Sequence, residues 1–477
     1  MISRTLHDIS VVTLVVAFAV PAAAQVRTGV PQLPASSPFM GGVPQGTVSP
    51  EPLALSVVDA IRRALDHNLG VLQAEESVDR ARAARWLALT ELLPHVEASV
   101  SQSRRTNNLE AFGFPLSRFP GAAGIGPVVG PFNVFDARLF ATQTLLDMSA
   151  VNDTRAEAHN LAAANHDYRS ARDLVVLVSA NLYLEALAAA ASVESARSQL
   201  ETSQALYTQA QDLRQSGIVA GLDVVRAEVR LSADRQRATA ARNDFEKTKL
   251  QLARVIGLPA GQEFTLSDVL PDVPVPEMTL QQALDRAYKE RPDFLAAQER
   301  VRAAESSQAA VRAELLPTVK VNADYGAIGL AASTALSTFN VTGVVSVPIF
   351  EGGRVQARLA RAEVDVRNRR SEVENLRSEI YYDVRSAFLD LQATGEELQT
   401  ATRSRELANQ QLTQSRDRFA AGVANNIEVI QAQEAVTLAN EQYISALYGY
   451  NVSKALLARS LGTAESAIER FLGGSRP

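Results

Sequence analysis

The chain has 477 residues, with 47 Lys and Arg, 53 Asp and Glu and a formal net charge of −6. This charge balance excludes a strongly basic nucleic-acid-binding protein. It contains no cysteine, which excludes disulfide scaffolds, thiol catalysis, Cys-ligated zinc and iron–sulfur clusters. The mean hydropathy of −0.04 is that of a soluble protein, and the length suggests two or three globular domains.

Residues 1–24 are predicted to be a secretory signal peptide, and a Pro-rich segment over 25–52 follows it. Arg4 precedes the apolar run Val11–Val20, and Ala22-Ala23-Ala24 supplies an Ala-x-Ala cleavage site. A transmembrane anchor is the alternative, but the run has only half of the roughly 20 residues that a spanning helix requires. No later segment has that uninterrupted apolar length, so we expect an exported chain without a transmembrane α-helix.

An internal duplication organises the rest of the chain. A shift of 223 positions aligns Ala60–Val96 with Ala283–Val319 without a gap, and both segments contain Glu-Leu-Leu-Pro. Further on, a shift of 205 positions places Gly217 on Gly422. We predict a first copy over 53–258, a Pro-rich linker over 259–278, a second copy over 279–462 and a tail over 463–477.

Each copy begins with a predicted helical segment that ends at a Leu-Pro step. Ala54–Leu93 and Leu280–Leu316 contain no strong helix breaker except Gly70 and Pro292. Because proline disfavours helical backbone at the residue before it, each helix is expected to end at the leucine of that step.

A pair of strands follows in each copy. Apolar and polar side chains alternate in His95–Ser103, Asp136–Leu145, Thr318–Tyr325 and Phe339–Ile349. A half-buried soluble sheet shows this pattern, and so do transmembrane β-strands of about ten residues with one apolar and one polar face. The sequence therefore predicts one β-hairpin over about 95–145 and a second over about 318–349.

A long helical hairpin completes each copy, over about 149–256 and 353–461. Gly353–Phe419 has no proline, and its apolar residues recur with a heptad-like spacing. Ser149–Gln215 is its counterpart, and the return helices are predicted over Leu222–Ile256 and Ile427–Leu461. For each helix taken alone, an ordinary coiled coil is the alternative.

Four strands per chain cannot close a barrel. An open sheet in lipid leaves backbone groups unpaired at several kcal/mol each, so strands from several chains must share one barrel. Two chains would supply eight strands, which enclose little more than their own side chains, whereas three would supply twelve and leave a lumen. We therefore expect a trimer in which a 12-stranded β-barrel is continued by a 12-helix tube.

In order, spacing and duplication, these features resemble the TolC-like outer-membrane efflux proteins, the channel components of tripartite export systems. The resemblance spans about Leu53 to Gly462 and is carried by the Leu-Pro junctions, the step Pro348–Gly353 and the two Gly-centred hairpin tips. It implies a mainly helical homotrimer with a small β-barrel surrounded by outer-membrane lipid and a periplasmic extension. Such a channel passively conducts substrates from an inner-membrane pump and a periplasmic adaptor, in efflux or type I secretion-like systems, and needs no cofactor.

The resemblance also assigns roles to the hairpin tips, which in this family close the tunnel at rest and dock the adaptor. Asp223 and Glu428 match positions of the periplasmic gate, while Gln431 replaces a second gate carboxylate. Copies of a carboxylate around a narrow axis disfavour anions and bind cations. The alternative is that both acids only stabilise the first turn of their helices. The positions that match adaptor-docking residues are Gly217, Ile218, Val219, Leu222, Gly422, Val423 and Ile427.

Two further features complete the sequence-based expectations. The segment Asn108–Phe135 is rich in Gly, Pro and Phe and is predicted to be an enlarged extracellular loop, either folded over the barrel mouth or disordered. No nucleotide-binding or hydrolase motif is present, and His159 and His166 are roughly 10 Å apart on one helix, too far to share a metal. We therefore expect neither an enzyme nor a metal site. The remaining alternative is a periplasmic adaptor or coiled-coil scaffold.

Overall fold

The computed structural model describes residues 33–109, 111, 126, 128–217, 219–273, 278–421, 423 and 426–467. The predicted signal peptide over 1–24 lies outside these residues, as does the centre of the Gly- and Phe-rich loop. In the first copy the elements are β1 (Leu53–Leu55), α1 (Val57–His67), α2 (Leu69–Thr90), β2 (His95–Asn108), β3 (Val128–Leu146), α3 (Met148–Gln215) and α4 (Gly221–Val255). The linker contains β4 (Phe264–Leu266), and the second copy comprises α5 (Leu280–Glu290), α6 (Pro292–Ala313), β5 (Thr318–Gly329), β6 (Leu336–Ser346), α7 (Arg354–Ala420) and α8 (Asn426–Ser460).

The prediction of one continuous helix before each Leu-Pro step is wrong. In the first copy, Asn68 separates α1 from α2, because its fully buried side chain accepts a hydrogen bond from the N–H of Gly70 (2.9 Å) and donates one to the carbonyl of Phe39 (2.9 Å). In the second copy, α5 stops before Pro292, which occupies the first turn of α6 and lacks the N–H that a continuing helix would need. Both α2 and α6 also end three residues before the leucine of the step.

The linker contains one short strand. β4 lies between Pro259 and Pro271 and pairs in parallel with β1 in a two-stranded sheet. This small sheet covers the middle of α3, where the hydroxyl of Tyr183 donates to the carbonyl of Leu55 (2.8 Å). The largest hydrophobic core within the described residues surrounds this point.

The four longer strands form one antiparallel sheet in the order β2-β3-β5-β6, which joins the hairpins of both copies. β3 begins at Val128, so the predicted loop Asn108–Phe135 is shorter than expected. Within the described residues the outer edges of β2 and β6 have no partner, and a single chain therefore forms an open sheet. The mainly helical fold class with a small β portion is confirmed; a closed 12-stranded barrel is not present in one chain.

The long hairpins extend from this sheet. The heptad-like seam is buried where it was expected, with Ile380 and Val384 fully enclosed against α5 and the end of α8. α3 contains an 18-residue window that is apolar enough to cross a membrane, and 61% of that window is buried within the chain. We interpret α3 as the central helix of the core rather than as a membrane span.

Candidate channel gate and hairpin tips

The first tip is a short turn between α3 and α4. Gly217 has φ of +75°, a left-handed conformation that favours glycine, and the chain turns there into α4. Val219 is half-buried, whereas Leu222 is exposed in the first turn of α4. Ile218 lies outside the described residues.

The second tip connects α7 to α8. Val423 and Ile427 are both exposed, and Gly422 lies outside the described residues. Each tip thus presents apolar side chains that the chain itself does not cover. The structure adds two residues to the predicted set, because Val225 and Val229 are also exposed on α4. They lie three and seven residues after Leu222, so the three side chains form an apolar stripe along one face of α4. The spacing of apolar residues in the sequence is sufficient to predict this stripe.

The two candidate gate carboxylates lie at equivalent points of the hairpins. Asp223 is in the first turn of α4, with Oδ1 3.3 Å from the guanidinium of Arg226. Glu428 is in the first turn of α8, with Oε1 3.1 Å from Nε of Arg418, which approaches from the end of α7. Both acids therefore have the position that a helix N-terminus favours, and both face an arginine that offsets their charge. The sequence alone did not predict the involvement of Arg226 or Arg418.

Beyond the first tip, a buried ion-pair network joins the two hairpins. The guanidinium of Arg230 on α4 is 3.0 Å from Asp234 on the same helix and 3.0 Å from Glu434 on α8. It also donates to the hydroxyl of Thr437 on α8 at 3.2 Å. Ser203 on α3 donates to the same carboxylate oxygen of Asp234. The network therefore connects three of the four long helices.

The sheet has one apolar and one polar face, and both run across all four strands. Ala98, Leu139, Tyr325 and Phe339 are cross-strand neighbours in one apolar row. In the adjacent polar row, Glu97, Phe140, Asp324 and Asn340 are neighbours and point to the opposite face. The alternation read from the sequence is thus in register between the two copies.

On the polar face, one arginine gathers two carboxylates. Arg138 on β3 lies 2.6 Å from Asp136 and 2.9 Å from Asp324 on β5. Gly326 is the direct cross-strand partner of Arg138, and a Cβ added there would lie 2.6 Å from the Cα of Arg138. The absence of a side chain at this glycine therefore gives the arginine room to cross to β5.

Comparisons with known proteins agree with this architecture. A family model described as outer membrane efflux protein matches residues 60–258 and 283–463, the two copies of the duplication. The pyoverdine export outer membrane protein OpmQ of Pseudomonas putida is 25% identical over 429 residues, which cover 87% of this chain and 84% of that protein. The cation efflux system protein CusC of Escherichia coli O157:H7 is 26% identical over 417 residues, covering 84% and 85%.

Solved structures share the fold at lower identity. The Campylobacter jejuni CmeC outer membrane channel superposes with a TM-score of 0.71 at 17% identity, covering 91% of this chain and 93% of that one. The open state of the Neisseria gonorrhoeae MtrE outer membrane channel gives a TM-score of 0.72 at 18% identity, covering 91% and 98%.

Proposed function

Because the chain belongs to the outer membrane efflux protein family, we propose that it is the outer-membrane channel of a tripartite export system. It would passively conduct substrates from an inner-membrane pump and a periplasmic adaptor to the outside, in an efflux or type I secretion-like system. The family assignment disfavours the alternative of a periplasmic adaptor or scaffold. The relatives are named as export and secretion proteins, and we assign no catalytic activity to the chain.

The strongest support for this proposal is the open sheet, whose apolar face is exposed. Val96, Tyr325, Phe339 and Val341 are all exposed on that face, as lipid contact requires. The unpaired edges of β2 and β6 cannot remain open in hydrocarbon, so edges of neighbouring copies would pair. Three copies give the twelve strands that enclose a lumen, and the long helices would continue the tube into the periplasm.

The tips would form the periplasmic end of this tube. We propose that Leu222, Val423 and Ile427, with the tip glycines Gly217 and Gly422 and with Ile218 and Val219, dock the adaptor. We propose Asp223 and Glu428 as gate carboxylates, although each faces an arginine. In this arrangement the arginine sets how much negative potential reaches the axis.

The channel function is tested by purifying the protein in detergent and recording its mass and heat-modifiable gel mobility. A soluble monomer recovered from the periplasm would overturn the proposal. The gate is tested by single-channel conductance in planar bilayers with two variants of opposite expected effect. Glu428→Gln should weaken cation selectivity and divalent-ion block, whereas Arg418→Gln should strengthen both because it uncovers the carboxylate. Unchanged selectivity in both variants would remove Glu428 from the gate.

A further inference from the structure

The two copies of the duplication differ at the break between their first two helices. A shift of 223 positions places Asn68, which separates α1 from α2, on Arg291, which separates α5 from α6. A glycine after the return helix packs closely against each break. A Cβ added at Gly257 would lie 2.7 Å from the Cβ of His67. One added at Gly462 would lie 2.6 Å from the Cα of Arg291, so the two breaks, which we call the first and the second junction, are packed in the same way.

Uncharged backbone groups hold the first junction. The N–H of Val43 donates to the carbonyl of His67 at 2.8 Å. The N–H of Leu69 donates to the carbonyl of Gly41 at 3.0 Å. These bonds attach the N-terminal segment across the break between α1 and α2. None of the four groups ionises, so the bonds themselves do not change with pH.

Charged side chains hold the second junction. The guanidinium of Arg291 lies 2.7 Å from Asp293 at the start of α6 and 2.9 Å from Asp383 on α7. The counterparts of these two carboxylates in the first copy are Gly70 and Val178, which carry no charge. A cavity of about 180 Å³ adjoins the ion pairs, and α3, α6, α7 and α8 all contribute to its wall.

Two side chains in the wall of this cavity have no oppositely charged partner within 4.0 Å in the described part of the chain. Asp173 on α3 is buried and accepts a 3.4 Å hydrogen bond from the N–H of Glu465. Arg459 on α8 is half-buried. Burial raises the pKa of Asp173 to about 6 and lowers the pKa of Arg459, so it disfavours the charged form of both groups.

The groups around Asp173 act on its ionisation in opposite directions. Glu465 and Asp293 oppose the ionised form, whereas Arg459 and the N–H of Glu465 favour it. The ionisable side chains that line the cavity with Asp173, or flank it, are Arg291 and Asp293 on α6, Asp383 and Asp390 on α7, Arg459 on α8, and Glu465, which lies 2.6 Å from Arg172.

We propose that the second junction is a proton-operated lock at the root of the second hairpin. While Asp173 carries a proton, it is neutral and stays enclosed beside the N–H of Glu465. When Asp173 loses the proton, its carboxylate requires water or the guanidinium of Arg459, and the cavity provides room for either. Opening of the cavity then loosens the ion pairs of Arg291, which connect α6 to α7.

The sign of the effect follows from the raised pKa. Because Asp173 binds its proton more tightly in the closed junction than in an open one, protonation stabilises the closed form. This stabilisation is lost as pH rises through about 6. The second hairpin is therefore held more firmly in acid than at neutral pH.

Amide hydrogen exchange of the full chain in detergent tests the lock, with mass spectrometry at pH 5 and pH 7.5 and correction for the intrinsic exchange rates. Peptides that cover residues 288–297 and 455–463 should lose about tenfold in protection at the higher pH. Asp173→Asn keeps a hydrogen-bond acceptor but cannot ionise, so its protection should be equal at both pH values. The matched control is Asp390→Asn, which removes another carboxylate from the wall of the same cavity and should keep the pH dependence.

Arg459→Gln provides a second measurement that does not require Asp173→Asn to fold. It removes a group that favours the ionised form of Asp173, so the midpoint of the pH dependence should move to higher pH. Equal protection of the parent at both pH values, or a pH dependence that persists in Asp173→Asn, would overturn the lock. An unchanged midpoint in Arg459→Gln would also contradict it. These measurements do not depend on conduction or on the number of copies, so a negative result leaves the proposed channel function intact.

Discussion

The guanidinium of Arg230 on α4 lies 3.0 Å from the carboxylate of Glu434 on α8, and this pair joins the two helical hairpins. Arg230 is 8% exposed in its side chain and Asp234, its other partner, is 1% exposed, whereas Glu434 is 61% exposed. We therefore expect the buried pair of Arg230 and Asp234 to contribute most of the stabilisation that the network provides. Separation of the hairpins at this level would break the contacts of Arg230 with Glu434 and Thr437, while its pair with Asp234 lies within α4.

Arg230→Ala should destabilise the protein by about 3 kcal/mol, because removal of one member of a buried pair leaves an uncompensated charge. Arg237 lies 3.2 Å from Asp234 and still offsets part of its charge, which limits the loss of stability. Glu434→Gln is the control, and its exposed carboxylate should contribute less than about 1 kcal/mol. Helical circular dichroism during thermal unfolding measures both variants. If both variants lost the same free energy of unfolding, the exposed pair of Arg230 and Glu434, rather than the buried pair of Arg230 and Asp234, would be the stabilising one.

Gly326→Ala should impair formation of the four-stranded sheet. A Cβ at this position would lie 2.6 Å from the Cα of Arg138, so β3 and β5 would have to move apart and the bond from Arg138 to Asp324 would weaken. Gly343→Ala on β6 is the matched control, since nothing lies within 4 Å of an added Cβ there. The yield of the heat-modifiable, folded band reports the difference. Equal yields from the two variants would contradict the close approach at Gly326.

Asp173 on α3 should make stability depend on pH. Burial raises the pKa of this carboxyl from its usual 3.8 to about 6, while it accepts a 3.4 Å hydrogen bond from the N–H of Glu465 and faces Arg459 and Asp293. Because the pKa is higher in the folded state, the stabilising contribution of the bound proton is complete below pH 3.8 and is lost as pH rises through 6.

Asp173→Asn removes this titration and keeps an acceptor for the N–H of Glu465. We expect the variant to be more stable than the parent above pH 7 by roughly 3 kcal/mol, with the difference shrinking towards pH 4. Denaturant unfolding at a series of pH values measures it. A stability difference that is constant across this range would show that Asp173 does not titrate as burial dictates.

The sequence predicted the elements that depend on local periodicity. The long helices begin and end within a few residues of the expected positions, because seams such as Ile380 and Val384 repeat along the chain. It did not predict the break at Asn68, because the stabilising contacts involve the carbonyl of Phe39, 29 residues away. Nor did it predict the bridge from Arg230 to Glu434, whose partners are 204 residues apart. Residues that are so far apart in the sequence leave no local pattern from which their contact could be predicted.

Trp86 offers an independent test of the proposed assembly of neighbouring copies, since it is the only tryptophan of the chain. It is 63% exposed on α2 of a single chain, beside the exposed side chain of Leu87. Because neighbouring copies would pack side by side around the tube, we expect assembly to shift the fluorescence emission of Trp86 to shorter wavelength and to protect it from iodide, relative to the protein dissociated in mild denaturant. Brominated lipids should not quench this emission, because the side chain would be covered by protein rather than by lipid. Emission that stays fully accessible to iodide in the assembled protein would place Trp86 outside the contact between copies.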